Sequence, residues 1–230
     1  MESVPPRSEI LQMLLSKSQI KQKVYDNTFD VFRIIKDVLH ELASETNDEI
    51  SEADADKRAK LEYRDRGQYE AELRIAGDTL IFNMHTNVFR FDRQHSVWQT
   101  PYLQSNADNS YCGMISIYNF LADSFKYNRM DDLGYLIGRI FVNKEGHFFV
   151  EGKQQLFDYQ HFGKTKLEHE SIVQIIETAI RYALNFDLLV PPYDIMKTAN
   201  VAQITNKADD DKIQTGKRIG FEFNLNDVVK

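Results

Sequence analysis

The sequence is poor in cysteine, in proline and in long apolar runs. It has one cysteine, Cys112, and five prolines among 230 residues. A single cysteine cannot form an internal disulfide, which excludes the disulfide-stapled scaffolds of small secreted domains. No stretch approaches the roughly 20 apolar residues that a membrane-spanning helix needs, and the start MESVPPRSEI lacks the features of a signal peptide. We therefore expect a cytoplasmic protein with no membrane partner.

An excess of positive charge is also missing. The 28 Lys and Arg residues are outnumbered by 35 Asp and Glu residues, so the formal net charge is -7. Nonspecific binding of nucleic acid depends on clustered Lys and Arg, and no dense basic run interleaved with aromatic residues is present. We expect no nucleic-acid partner. The chain does have 42% apolar and 12% aromatic residues, which is enough to form a hydrophobic core.

The first 45 residues carry helix signals. Ser8 can cap a short helix whose apolar positions recur at helical spacing, and a second helix is predicted from about Ser18 to Ala43. The second helix has apolar residues at heptad spacing, which could pair with a partner helix. Its apolar stripe is also wide enough to pack on a sheet of the same chain. Both interpretations stay open here. The residues of the possible homodimer seam are Val24, Val31, Ile35, Val38 and Leu42.

Residues 46–57 form an acidic stretch without sustained periodicity, predicted to be a linker. It separates the N-terminal helical segment, 1–45, from an α+β domain, 58–230. Within that domain, residues 68–92 alternate in polarity and predict three short strands. Residues 133–151 predict a hairpin with Gly146 at its turn. An amphipathic helix is predicted over 170–186, and an edge strand over 218–226.

Helices at both ends with strands between them predict an α+β fold. The regular strand-helix-strand alternation of parallel sheets is absent. We therefore expect a mainly antiparallel β-sheet packed by the N-terminal and C-terminal helices.

The segment around the cysteine, residues 109–124, reads NSYCGMISIYNFLADS. Its large apolar residues fall at steps of three and four, which predicts a helix. Asp108, Asn109 and Ser110 can cap that helix, and Cys112 would then lie in its first turn, where the helix dipole favours a thiolate. The other interpretation is that Cys112 is a small buried hydrophobic residue.

A nucleophilic thiolate needs a base, and His147 opens the second strand of the predicted hairpin. Glu151 shares its face, and Asp158 follows. A cysteine, a later histidine on a strand and a nearby carboxylate resemble the order found in papain-like cysteine hydrolases. The resemblance implies a cysteine-dependent hydrolase or transferase using Cys112, His147 and Glu151 as catalytic residues. The local signature of that family around the cysteine is not present.

Aromatic residues are concentrated in the middle third of the chain. The stretch DRQHSVWQTPYLQSN, residues 92–106, combines aromatic and charged side chains in a composition typical of contact surfaces. Its candidate binding residues are Arg93, His95, Trp98 and Tyr102. The lone tryptophan could instead fill the core.

The six histidines show no metal-binding spacing, and no dinucleotide or phosphate-loop motif is present. We therefore predict neither a metal site nor a cofactor. The sequence favours a non-catalytic binding, regulatory or adaptor protein that engages another protein or a small ligand through its aromatic sheet region and N-terminal helix. The alternative is the cysteine-dependent enzyme described above, and a sheet that encloses a small ligand is a third possibility.

Overall fold

A computed structural model of the chain describes residues 7–53, 59–152 and 162–187, together with Tyr193 and Lys197. A long helical region comes first, seven strands follow, and a helix comes last. The α-helices are α1 (Arg7–Met13), α2 (Gln19–Glu52), α3 (Pro101–Ser105), α4 (Ala122–Lys126) and α5 (His169–Leu184). The strands are β1 (Leu61–Asp65), β2 (Glu70–Ile75), β3 (Asp78–Met84), β4 (Phe89–Arg90), β5 (Tyr111–Leu121), β6 (Tyr135–Asn143) and β7 (Phe148–Gly152).

The strands form one antiparallel sheet in the order β1-β2-β3-β5-β6-β7. The short strand β4 pairs with β5 beyond the end of β3, with Phe89 opposite Cys112. The predicted α+β fold, an antiparallel sheet with helices at both ends of the chain, is confirmed. The predicted hairpin is confirmed as well, and Gly146 at its turn has a φ of 77°, a left-handed conformation that favours glycine.

The larger core lies between one face of the sheet and the helices α2 and α5. The sheet contributes alternate residues of each strand, because successive side chains of a strand point to opposite faces. Fully buried members include Phe32 and Ile35 of α2, Phe82 of β3 and Ile172 of α5. Helix α2 comes so close to β5 that a Cβ atom added at Gly113 would lie 2.1 Å from Thr28 Oγ1.

Three of the five residues of the possible homodimer seam, Val31, Ile35 and Val38, lie in this core. Val24 is also buried, and Leu42 packs against the core from its border. The structure therefore packs this helix on the sheet of the same chain, which is the second of the two interpretations left open by the sequence. A dimer seam made of these residues would require α2 to leave the sheet.

The long helix extends further than the sequence indicates at both ends. It joins α1 to α2 through a π-helical turn, Leu14–Ser18, and it ends at Glu52, inside the stretch 46–57 that we predicted to be a linker. The reason is visible at Asn47. Its side chain donates to the carbonyl of Leu61 and accepts from the amide of Leu61, at 2.8 and 2.9 Å. This pair of hydrogen bonds anchors the last turns of α2 on the edge strand β1.

The prediction of a helix around Cys112 is wrong. Residues 111–121 form β5, which pairs with β3 and β4 on one side and with β6 on the other. This central strand is buried on both faces, so it shows little of the polar alternation that identifies a half-buried strand. Cys112 therefore lies within a sheet and not at the tip of a helix.

The second face of the sheet carries a smaller, largely aromatic cluster. Its buried members are Val97, Leu103, Cys112, Phe141, Phe149 and Phe162. The chain between β4 and β5 covers this cluster, with α3 and two short 3-10 turns, Ser96–Gln99 and Ala107–Ser110. Among the described residues, no helix is both long enough and apolar enough to span a bilayer. The predicted edge strand over 218–226 lies outside the described residues.

Candidate binding surface

The segment that covers the aromatic cluster also supplies the candidate binding residues. It leaves the sheet after β4 and returns at β5, so both of its ends are fixed by strand pairing. His95 caps the first 3-10 turn by accepting a hydrogen bond from the amide of Val97 at 3.1 Å. Val97 and Leu103 are buried against the sheet and anchor the segment from below. Side chains that point away from these anchors form an outer surface.

Trp98 lies at the border between this cluster and the outer surface. Its indole Nε1 donates to the carbonyl of Phe91 at 3.4 Å, and the ring packs against the cluster while staying partly exposed. The guanidinium of Arg93 lies 4.1 Å from the ring centroid, and that of Arg90 lies 5.8 Å from it. We call Arg90, Arg93 and Trp98 the Trp98 site.

Arg90 is held in place by two further contacts. Its guanidinium lies 5.2 Å from the ring centroid of Tyr111, and its Nε donates to Ser110 Oγ at 3.2 Å. Ser110 is buried and donates in turn to the carbonyl of Ala107 at 2.6 Å. A buried serine that is itself hydrogen-bonded thus fixes the orientation of an exposed arginine. Contacts within the chain therefore orient Arg90 at the Trp98 site.

The charge balance at the Trp98 site differs from that of the remaining sheet. Arginines on β1, β2 and β6 and at the β1–β2 turn each lie within 4 Å of a carboxylate; they are Arg64, Arg66, Arg74 and Arg139. Within the part of the chain that the structure describes, Arg90 and Arg93 have no such partner. Both are exposed. Among the residues that the structure describes, the Trp98 site is therefore a pair of positive charges with no carboxylate within 4 Å, on an acidic protein.

His95 is beside the Trp98 site rather than inside it. Its ring centroid lies 4.9 Å from that of Phe91. Because its Nδ1 accepts from the backbone, the ring proton is on Nε2, which lies 4.0 Å from Glu151 Oε1. Glu151 itself is paired with Arg139. His95 thus links the covering segment to the edge strand β7.

Tyr102 belongs to a second polar group at the tip of the β6–β7 hairpin. Its hydroxyl donates to Glu145 Oε2 at 2.5 Å and accepts from Asn143 Nδ2 at 2.7 Å. His147 Nδ1 lies 2.9 Å from the same oxygen. Since Glu145 takes the only phenol hydrogen, His147 Nδ1 is the donor in that contact. We call Tyr102, Asn143, Glu145 and His147 the hairpin-tip cluster.

Asn143 organises the hairpin-tip cluster from within the sheet. It is fully buried, and its Oδ1 accepts from the backbone amides of Glu145 and His147 at 2.9 and 3.0 Å. Asn27 of α2 donates to the carbonyls of Asn143 and Lys144. Burial, and then the hydrogen bond to Glu145, raise the pKa of Tyr102. Tyr102 of α3 thus has contacts with three side chains of the hairpin tip through one hydroxyl oxygen.

Among the described residues, no hydrogen bond or ion pair joins Cys112, His147 and Glu151 to one another. Cys112 is fully buried, and its Sγ lies 3.9 Å from the carbonyl oxygen of Asn109. Burial raises the pKa of the Cys112 thiol, which opposes formation of a thiolate. His147 is hydrogen-bonded to Tyr102, and Glu151 is paired with Arg139. Asp158 lies outside the described residues.

Of the four candidate binding residues, the structure brings Arg93 and Trp98 into direct contact, and it places His95 beside them and Tyr102 in the hairpin-tip cluster. Sequence reasoning missed Arg90. The sequence signal for Arg90 was weak. Arg90 lies between Phe89 and Phe91 in a strand pattern, and its hydrogen-bond partner Ser110 is 20 residues away in the chain.

Comparisons of the chain with protein-family models, with curated proteins and with solved structures find no significant match. The described residues contain no group of three or more His, Cys, Asp or Glu side chains placed to hold a metal ion.

Proposed function

We propose that the protein is a non-catalytic binding protein that holds an acidic segment of a partner protein at the Trp98 site. One observation carries the proposal. Two exposed guanidinium groups lie over one tryptophan ring, at 4.1 and 5.8 Å from its centroid, and neither has a carboxylate partner in the described chain. The other arginines of the sheet and its first turn are paired.

The chemistry of the Trp98 site favours a carboxylate-bearing ligand. A guanidinium presents a planar set of donors that matches a carboxylate, and stacking on an aromatic ring leaves those donors free at its edge. The hydrogen bond from Arg90 to Ser110 uses only Nε. Preorganised side chains lose little entropy when a ligand binds, which supports useful affinity from a small surface.

A peptide is the favoured source of the carboxylate because the Trp98 site is open and lies on a surface rich in rings. Tryptophan and arginine are the residues most often found at the energetic centre of protein interfaces. The negative charge of the remaining protein would repel an acidic partner elsewhere. Such a partner would therefore be directed to the Trp98 site.

The lone tryptophan makes the test direct. Trp98 is the only tryptophan in the chain, so intrinsic indole fluorescence reports on the Trp98 site alone. We expect titration with a hexaglutamate peptide to change the Trp98 emission saturably, and the midpoint to rise with salt because the charges are exposed. A hexaglutamine peptide of the same length should produce no saturable change.

Variants then assign the effect to the two arginines. Arg93→Ala and Arg90→Ala should each weaken binding about tenfold, while Arg93→Lys should lie between wild type and Arg93→Ala because it keeps charge without the planar group. Arg33→Ala is the matched control, since Arg33 is exposed on α2. The proposal fails if hexaglutamate and hexaglutamine behave alike, or if the control weakens binding as much as the two site variants.

A further inference from the structure

The N-terminal end of the long helix is exposed on all sides. Every residue from 7 to 19 is exposed, and the first buried residue of the helix is Val24. This helical extension is about 20 Å long at 1.5 Å per residue. It nevertheless carries five large apolar side chains that are 45% to 56% exposed. These are Ile10, Leu11, Met13, Leu14 and Leu15.

The side chains of the extension fall into four rows at four-residue spacing, because residues four apart are neighbours on an α-helix and stay so through the π-helical turn Leu14–Ser18. Two adjacent rows are apolar in their middle, Ile10 with Leu14 and Leu11 with Leu15. Their ends are Ser18 in the first row, and Arg7 and Gln19 in the second. One flanking row reads Glu9, Met13, Lys17. The opposite flank is polar and uncharged, and it consists of Ser8, Gln12 and Ser16. The extension therefore has one apolar face with one charged edge.

We propose that a second copy of this chain covers that face, with the two extensions packed antiparallel across a twofold axis at Met13. This interface lies outside the Trp98 site and does not depend on the function proposed above. It also differs from a seam through α2, whose residues are occupied by the sheet.

Charge complementarity identifies the second copy as the occupant. Glu9 and Lys17 lie four residues on either side of Met13 in the same row. In an antiparallel pair related by a twofold axis, equivalent flanks lie side by side, so Glu9 of each copy faces the partner's Lys17. The same twofold rotation packs the apolar rows of one copy against those of the other. It also places Met13 against the partner's Met13. A parallel pair would set Glu9 and Lys17 against the uncharged flank.

The geometry leaves room for both copies. The overlapping region spans residues 7–19, none of which is buried against the part of its own chain that the structure describes. The two sheets would then lie beyond opposite ends of the paired helices. Because each copy contributes only five large apolar side chains, we expect a dissociation constant on the order of micromolar.

The first test measures mass. Sedimentation equilibrium of the full chain from about 1 to 200 μM should show a monomer–dimer equilibrium. Leu14→Asp should abolish the dimer, since it places a charge in the seam. Gln12→Asp is the matched control, because it adds the same charge on the polar row, and it should leave the equilibrium within about twofold of wild type. A monomer throughout that concentration range overturns the proposal, as does a dimer that Leu14→Asp leaves intact.

The second test uses charge reversal. Glu9→Lys alone and Lys17→Glu alone each create two like-charge pairs and should weaken the dimer about tenfold. The double variant Glu9→Lys/Lys17→Glu restores both pairs and should recover wild-type affinity. If the double variant is as weak as the single variants, the pairing of these two residues is wrong.

The third test fixes the orientation. Met13→Cys places two thiols together at the twofold axis and should form an intermolecular disulfide under mild oxidation. Lys17→Cys should not, because the two copies of position 17 are about 12 Å apart along the pair. The native Cys112 is fully buried and does not compete. Crosslinking through position 17 as efficient as through position 13, or crosslinking through neither position, would overturn the proposal. An unchanged Trp98 titration in Leu14→Asp would separate this interface from the proposed ligand site.

Discussion

The two faces of the sheet are built from the same strands but are covered in different ways. One face, with Ile115 and Ile117 of β5, lies under α2 and α5, which come from opposite ends of the chain. The other face, with Cys112, lies under the local segment between β4 and β5. The first is mostly aliphatic and broad, and the second is aromatic, small and bordered by charge.

This difference separates the main source of stability from the surface that we propose for binding. A broad core between a sheet and two helices removes large apolar side chains from water, and that removal is the main stabilising term in folding. A small cluster under a local segment stabilises less, but it fixes the orientation of the side chains above it. In this chain, those side chains include Trp98 and the two arginines that lie over its ring.

The largest expected effect comes from removing matched phenylalanines on the two faces. Phe82 is 0% exposed in the broad core, and Phe149 is 3% exposed in the aromatic cluster. We expect Phe82→Ala to lower the free energy of unfolding by about 3–5 kcal/mol, and Phe149→Ala by about 1 kcal/mol less, because the smaller cluster can collapse around the cavity. Urea unfolding followed by far-UV circular dichroism measures both.

Fluorescence distinguishes the two phenylalanine variants further. Trp98 packs on the aromatic cluster, so Phe149→Ala should shift the native emission of Trp98, whereas Phe82→Ala should leave it unchanged below the unfolding transition. Equal losses of stability together with equal emission spectra would mean that the two faces do not differ in the way described.

A second, smaller loss of stability is expected from a substitution at Gly113, where α2 lies close to the sheet. A Cβ atom at position 113 would lie 2.1 Å from Thr28 Oγ1, so Gly113→Ala forces the helix and strand apart. We expect a loss of about 2–3 kcal/mol. Thr28→Ala should recover part of that loss in a double-mutant cycle, since it removes the closest atom.

Gly77→Ala is the matched control, because nothing lies within 4 Å of its added Cβ. It should change the free energy of unfolding by less than about 0.5 kcal/mol. A Gly113→Ala protein as stable as the control would show that α2 can move away from β5 at no cost.

Elements with a clear period or a marked turn could be predicted from the sequence. Helix α5 buries one face and exposes the other, so its periodicity is visible. The hairpin and the strands of 68–92 are delimited by turns at Gly146 and Gly77. The helix predicted for 109–124 was wrong because this segment is a strand with both faces buried. Gly113 and Ile115 face α2 while Cys112 faces the aromatic cluster, and burial on both sides leaves no alternation of polarity.

Features that depend on distant partners could not be predicted. The last turns of α2 look like a linker because they are acidic, yet Asn47 anchors them through hydrogen bonds to Leu61. Arg90 was missed for the same reason, since its hydrogen-bond partner Ser110 lies 20 residues away. Composition did identify the region of the Trp98 site, because rings and charges cluster there in the sequence itself.

The smallest effect concerns Tyr102, which ties the covering segment to the hairpin tip. Tyr102→Phe removes hydrogen bonds to Glu145, Asn143 and His147. We expect a loss of about 1–2 kcal/mol at pH 8, in part because the buried Asn143 amide loses its acceptor. The loss should be measurable by urea unfolding at fixed pH.

The pH dependence of that loss has a definite sign. The pKa of Tyr102 is raised in the folded protein, first by burial and then by the hydrogen bond to Glu145, whereas the unfolded tyrosine titrates near pH 10. The stabilisation that a raised pKa gives is fully present below the pKa of the unfolded state. It decreases as the pH rises from that value toward the pKa of the folded state, by at most about 1.4 kcal/mol per pH unit. The raised pKa of the Cys112 thiol acts equally in wild type and in Tyr102→Phe. The difference between wild type and Tyr102→Phe should therefore shrink between pH 10 and 11, and a constant difference from pH 8 to 11 would show that the phenol is not held in its protonated form by this cluster.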